Sequence, residues 1–517
     1  MSHLKGHELE ERSHREIMVI ISALALAMLL AALDQTIVST ALPRIATDLH
    51  GLNKLAWVAT AYLMTSAIST PLFGKISDQF GRKRIFMFAI ILFLAGSILC
   101  GQSRNMNELV IFRAIQGIGA GGLMSLSMTI VGDVVSPRQR GKYLAYFGGV
   151  FAISSVAGPL LGGFFTDTFS WRWVFYINIP LGLIALFVIA RRLHLPVRIS
   201  DRKIDYIGAF LLTTAVVPII LGTVWGGITY PWGSLEVIGL FVAGLIMTIV
   251  FAVWERNAEE AIIPTHLFKN DIFRISIILS LLAGMAMFAA ILFIPEYQQI
   301  VRGYSPIKSG LMLLPLVVGM ISMLITTGRL ISKTGRYKIF PIIGTLTAAF
   351  GLWLFSHINL QTSALQLAIW MFVLGAGIGS FMQVMTLAVQ NAVPREELGV
   401  ATASATFFRS MGSALGGAIF GAILTNRLSF HLNRLLPHSV STSSRLNHMA
   451  SSIQTGATTK IINQLPPAIS KDIYTAFVLS FHDMFLFAIP VLLLAFVAAL
   501  FLREAPLRTT TKGPEVI

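Results

Sequence analysis

Charge and cysteine are both scarce in this chain. Its 517 residues include 39 Lys plus Arg and 24 Asp plus Glu, 12% in all, where a soluble domain carries about 25%. Water cannot be the solvent on every face. The single Cys100 excludes an intramolecular disulfide. Also missing are a GxxxxGK[ST] phosphate loop, an HExxH pair and a GxSxG nucleophile elbow, so ATP drive and hydrolase chemistry lose their usual carriers. His431, His438 and His448 have no companions at metal-ligand spacing, and no metal or cofactor is expected. Alternating ten-residue strands are absent too, which removes a membrane barrel.

What is present is apolar length. Hydrophobic residues make up 55% of the chain and the mean hydropathy is +0.75. Runs long enough to span lipid, roughly 20 residues each, lie near 17–41, 55–73, 85–101, 109–131, 143–165, 173–190, 206–226, 235–254, 273–295, 308–327, 339–357, 365–390, 400–425 and 480–502. They predict an all-α polytopic membrane protein with fourteen transmembrane helices, because in lipid a helix satisfies its own backbone.

An even count puts both termini on one side. With the N-terminus inside, cytoplasmic segments hold 26 of the 39 Lys and Arg, as expected if basic residues accumulate in cytoplasmic loops. The net charge of +15 then belongs to short loops at the bilayer surface, and nucleic acid is not expected as a partner. The expected organisation is a cytoplasmic tail at 1–16, a six-helix bundle at 17–195, a linker with two additional helices at 196–270, a second six-helix bundle at 271–503 with a long external loop at 426–478, and a cytoplasmic tail at 504–517. The first apolar run is too long for the core of a cleaved signal peptide.

The chain also repeats itself. Gly74, Gly81 and Arg82, in the loop running to Arg84, recur 254 residues later as Gly328, Gly335 and Arg336. Gly158, Gly162 and Gly163 return at the same offset as Gly412, Gly416 and Gly417. Both loops fall on the cytoplasmic side, so the two six-helix halves share one topology and should be related by an axis along the membrane normal. The helices between them are an insertion.

Several embedded groups carry chemistry. Asp34 places a carboxylate inside an apolar spanner, where acids are costly and usually face a water-filled cavity or proton path. A structural hydrogen bond to a neighbouring helix is the plainer reading, and a proton carrier the sharper one. Arg113, one turn inside the external end of the fourth span, is expected to reach the same cavity; a guanidinium lowers the pKa of a nearby acid while burial raises it. The corresponding stretch of the second half, near Met371, carries no Arg. Gly117-Ile-Gly119-Ala-Gly121-Gly122 has the form of a dinucleotide fingerprint but lacks the strand and the acid that reading requires, so it reads as a small-residue packing face. Gly158, Pro159, Gly162 and Gly163 suit either ordinary packing or a hinge and seal between the halves. Asp78, alone among the bases of the 74–84 loop, is left unexplained by positive-inside bookkeeping. Glu296 reads as an exposed rim acid or a cation-attracting group at the pathway mouth, and Gln35 and Arg409 as possible pathway residues.

Together these residues resemble the fourteen-helix drug:proton antiporter family of the major facilitator superfamily. The resemblance rests on Leu33-Asp34-Gln35-Thr36-Ile37-Val38 through Pro43, Gly74 to Arg84, Arg113 with Gln116, Gly117 and Gly119, Gly158-Pro159, and Trp171 through Pro180, in order across about residues 17–503. Ser39 departs from the Asn usual there. The resemblance implies the major facilitator fold and proton-driven export by alternating access, with Asp34 and Arg113 in proton coupling and Gly74, Asp78, Gly81 and Arg82 in a cytoplasmic gate loop. It assigns Gly158 and Pro159 to the helix-five antiporter signature.

The reading is therefore a non-enzymatic multidrug exporter of amphipathic or cationic compounds, in the cell (cytoplasmic) membrane. It is powered by the proton gradient, touches only lipid, protons and small molecules, and is expected to act as a monomer. Export of an endogenous lipid, siderophore or metabolite is the alternative within transport. A receptor or enzyme that has kept the fold is the alternative outside it.

Overall fold

In the computed structural model the described residues are 14–51, 54–195, 204–227, 229–435, 462 and 465–507. Residues 1–13 and 508–517 of the expected tails, and 436–461 of the expected external loop with His438 and His448, lie outside them. The helices are α1 (His14–Asp48), α2 (Leu55–Phe80), α3 (Arg82–Gln102), α4 (Met106–Val134), α5 (Pro137–Thr168), α6 (Trp173–Tyr176), α7 (Asn178–Arg192), α8 (Tyr206–Trp225), α9 (Leu235–Asn257), α10 (Asp271–Ile300), α11 (Pro306–Met312), α12 (Leu314–Thr334), α13 (Ile339–Phe355), α14 (Ala364–Ala392), α15 (Leu398–Leu435) and α16 (Pro467–Leu500). No strand occurs among the described residues; an isolated bridge joins Gly226 to Tyr230.

Each helix begins or breaks where the sequence provides a reason. Asn105, Ser234, Asn270 and Ser363 accept from the first free N–H groups of α4, α9, α10 and α14, filling donors that have no partner within the helix. The predicted spans 173–190 and 308–327 are each broken, at Ile177 and Leu313. Pro180 and Pro315 follow closely, lacking an N–H and crowding the preceding turn.

With α6 and α7 taken as one span and α11 and α12 as another, twelve of the fourteen expected spans are, among the described residues, long and apolar enough to cross a membrane. The two that fall short are α13, only 17 residues long, and α2, whose apolar run is diluted by Thr60, Thr65, Ser66, Ser69 and Thr70. The ends of the expected 426–478 loop are helical, because α15 continues to Leu435 and α16 starts at Pro467. Reading apolar runs stops at the first polar residues, whereas here Asp483 joins the two helices by accepting from His431 (2.9 Å) and pairing with Arg427 (3.6 Å).

Apolar packing follows the two halves. One core gathers Leu24, Phe86, Phe93, Leu123 and Phe147 of α1 to α5; another gathers Phe293, Leu316, Phe355, Phe381 and Phe481 of α10 to α16. The inserted α8 lies on the seam between them, with Leu212, Val216 and Ile220 against Ile68 of α2 and Phe407 and Met411 of α15. By contrast, α9 leaves Leu235, Leu245, Ile246, Ile249 and Val253 exposed, as a surface facing lipid should.

Small residues set the closest crossings. A Cβ on Gly117 would lie 2.4 Å from the Tyr62 carbonyl of α2, and one on Gly119 2.5 Å from the Phe93 nitrogen of α3. The glycine run in α4 is thus a two-sided packing face. Likewise Gly158 and Gly162 of α5 abut Thr36 and Thr40 of α1, while Gly412 and Gly416 of α15 abut Leu281 and Met285 of α10. Of the two readings, these four glycines therefore fit packing within each half and not a seal between halves. Gly163 is half-buried beside them. Pro159 does reach across, its ring 3.6 Å from where a Gly310 Cβ would stand.

Candidate transport site and gate

Asp34 sits in the middle of α1 with no solvent-exposed surface. Its Oδ2 is paired with Arg113 of α4, and its Oδ1 accepts from Gln116 Nε2 (2.9 Å) and Asn178 Nδ2 (3.1 Å). Ser97 of α3 links the last two, accepting from Gln116 at 3.2 Å and from Asn178 at 2.9 Å, while its hydroxyl donates to the Phe175 carbonyl. Arg113 is held three further ways: Nε donates to the Val58 carbonyl at 3.3 Å, Nη1 donates to Gln116 Oε1 at 2.7 Å, and its guanidinium lies 4.1 Å over the Tyr62 ring. A charge pair this deep is tolerated only when its remaining donors and acceptors are also used. Here α1 to α4 and α7 supply the pair and its shell.

Two details differ from expectation. Arg113 lies about two turns inside α4, not one, and so reaches Asp34 directly. Nor does Asp34 face a cavity in this conformation, since its oxygens are filled by protein donors and a bound cation finds no free carboxylate. Gln35, the next residue, is half-buried beside Tyr62. Ser97 and Asn178 were not singled out as site residues from sequence. Both are polar residues embedded in apolar runs, which is the signal that finds them.

The second site lies at the end of the bundle rich in Lys and Arg. Asp78, near the end of α2, pairs with Arg82, whose Nε reaches Asp133 of α4 at 2.7 Å. The other contacts of Asp78 cross to the second half: Oδ1 accepts from the Gly399 N–H (3.2 Å) and Oδ2 from the Val400 N–H (3.0 Å). Both N–H groups belong to the first turn of α15, where negative charge is favoured. Gly74 allows this approach, because a Cβ there would fall 2.4 Å from Ala403 Cβ. Gly81 turns the chain between α2 and α3 at φ 94°, a conformation glycine adopts without strain. Asp133 also holds Arg395, 3.7 Å away; sequence reading did not pick it out.

The repeat of this loop makes the mirrored contact. A Gly328 Cβ would lie 2.5 Å from the Gly141 carbonyl of α5, and Gly335 turns at φ 73°. Arg138 of α5 donates to the Ser332 carbonyl and the Lys333 carbonyl, each at 3.1 Å. At this end the two halves are thus latched at both seams, α2 with α15 and α5 with α12.

Glu296 is half-buried near the far end of α10 rather than an exposed rim acid, and Arg409 is buried midway along α15. Among the described residues no group of three or more His, Cys, Asp or Glu is placed to hold a metal.

Two six-helix halves latched in this pseudo-symmetric way meet a family model described as Major Facilitator Superfamily, which matches residues 24–417. The chain belongs to that superfamily. It is 36% identical to the multidrug transporter protein MdtP of Bacillus subtilis over 96% of this chain and 94% of that one. It is also 36% identical to multidrug resistance protein 3 of the same organism, over 95% and 96%. A structure of the proton:xylose symporter XylE shares the fold at TM-score 0.61 and 15% identity, covering 93% of this chain and 95% of that one. The protein is a multi-pass membrane transporter and not an enzyme.

Proposed function

We propose that this transporter is a drug:proton antiporter. It exports amphipathic compounds, cationic ones included, across the cytoplasmic membrane by alternating access, as a monomer with fourteen spans and both termini cytoplasmic. The observation that carries this reading is the sealed Asp34–Arg113 pair: one titratable acid, deep in one half, held by residues of five helices. The similarity to two transporters named for multidrug transport and resistance supports the substrate class.

The enrichment of Lys and Arg assigns the latched end to the cytoplasm, so the conformation described here is closed to the inside. A proton entering from outside neutralises Asp34 at Oδ2 and removes the charge that holds Arg113. The membrane potential supplies about 2.3 kcal/mol per charge per 100 mV. Arg113 then shifts, α1 and α4 stay joined here by the Gln116 bond to Oδ1 alone, and the halves are freer to rock. Return of the proton to the cytoplasm restores the pair. Because the Asp34 oxygens are filled by protein donors, coupling runs through Arg113 and helix position instead of direct competition between proton and drug for one carboxylate.

Everted vesicles test this. Adding a lipophilic cation to energised vesicles should release protons from the lumen and concentrate the cation there, and Asp34→Asn should remove both while inserting normally. Gradient-driven cation uptake by Asp34→Asn at the wild-type rate refutes the assignment.

A further inference from the structure

Among the described residues of the second half, Arg409 is the one charged side chain that is buried and left unused by the coupling scheme. It lies in the middle of α15 at 7% exposure, and among the described residues no acceptor or acidic group partners its guanidinium. Its one described neighbour of electrostatic character is the Phe151 ring of α5, in the opposite half, 6.0 Å away. Arginine does not escape this situation by losing its proton, and a buried cation without an acceptor is costly. A protein that keeps one presents it to something.

The nearest unpartnered acid within the spans does not meet it. Glu296 is on the adjacent α10, but Gly284 is the residue of α10 that packs on Arg409, a Cβ there falling 2.0 Å from the Arg409 carbonyl. Twelve residues of helix separate Gly284 from Glu296, about 18 Å along the axis, well beyond the reach of an arginine side chain. Asp34 is already filled by Arg113, Gln116 and Asn178. Asp483 is engaged with His431 and Arg427. None of these acids supplies the acceptor that Arg409 lacks, and its guanidinium nitrogens are not sealed against a ligand.

We propose that Arg409 binds the anionic group of a transported amphiphile, so that the substrate range includes molecules carrying a carboxylate or sulfonate on an aromatic body. Location supports this. Arg409 and Phe151 face each other across the seam between the halves, where alternating access exposes a substrate to each side in turn. A planar guanidinium gives a forked pair of donors to a carboxylate, and Phe151 offers an adjoining apolar ring. The inference rests on the exporter reading above.

A matched dye pair tests it: rhodamine 110, which bears a free carboxyl, and rhodamine 123, its methyl ester. Binding to the purified transporter is read by fluorescence polarisation, and export is read in everted vesicles. Arg409→Gln should weaken binding of the acid by at least about tenfold, in line with loss of a charge-assisted pair, and leave the ester within about twofold. Arg409→Lys, which keeps the charge and loses the fork, should fall between and decides the matter if the glutamine variant does not fold. Equal effects on both dyes in a folded variant, or no effect on the acid, overturns the proposal. If the binding pattern holds while neither dye is exported by the wild type, the antiporter reading fails and the Arg409 site stands.

Discussion

Replacing Asp78 by Asn should unlatch the cytoplasmic end without unfolding the protein. The carboxylate accepts from Gly399, from Val400 and from Arg82; the amide keeps one acceptor oxygen and loses the charge. One charge-assisted bond is worth about 1.5–3 kcal/mol, and a charge at a helix N-terminus about 0.3–1 kcal/mol. The closed conformation therefore loses about 2.5 kcal/mol relative to the open one, roughly a seventyfold change in their ratio. Arg82 stays paired with Asp133 at 2.7 Å, so no cation is orphaned and the fold should survive. Spin labels on cysteines placed at the cytoplasmic ends of α2 and α15 report the distance distribution directly. The sole native thiol, Cys100, is buried and is removable by Cys100→Ser. We expect a new long-distance population in Asp78→Asn. An unchanged distribution, with transport still impaired, would refute the latch.

Other outcomes follow from the same geometry. Asp34→Ala leaves Arg113 buried without its counter-charge, so thermal unfolding in detergent should show a loss of about 3–5 kcal/mol; a change below about 1 kcal/mol would mean the pair is not sealed. Gly158→Ala puts a Cβ 2.0 Å from Thr36 Oγ1 and should cost about 1–3 kcal/mol. Gly149→Ala, with nothing within 4 Å, should be neutral or stabilising by up to about 1 kcal/mol; equal melting shifts for the two would count against a tight α1–α5 crossing. Ser332→Ala should transport normally, because Arg138 uses the main-chain carbonyl there, whereas Arg138→Gln should lower transport; comparable activity in both variants would show that this second contact carries no load.

Much of the molecule was legible without coordinates because lipid enforces simple rules. The positions of the helices followed from apolar runs, since a spanning backbone must bond to itself. The duplication followed from glycines at one offset, 74 with 328 and 158 with 412, because close crossings and tight turns recur where a fold is repeated. Asp34 and Arg113 announced themselves as charges where charge is costly, and Asp78 as the lone acid in a basic loop. What each of them touches was decided only by the tertiary structure. Apolar periodicity does not tell which helices are neighbours, so the Asn178 and Ser97 supports of Asp34 became visible only when α3 and α7 closed on α1 and α4. The capping of α15 by Asp78 joins positions 321 and 322 residues apart. The glycines of α5 could have faced either half, and packing put Gly158 and Gly162 on α1 but Gly141 and Gly148 on α12 of the other half. Sequence sets which groups are too costly to leave unpaired in lipid, and three-dimensional contact alone sets which partners meet that cost.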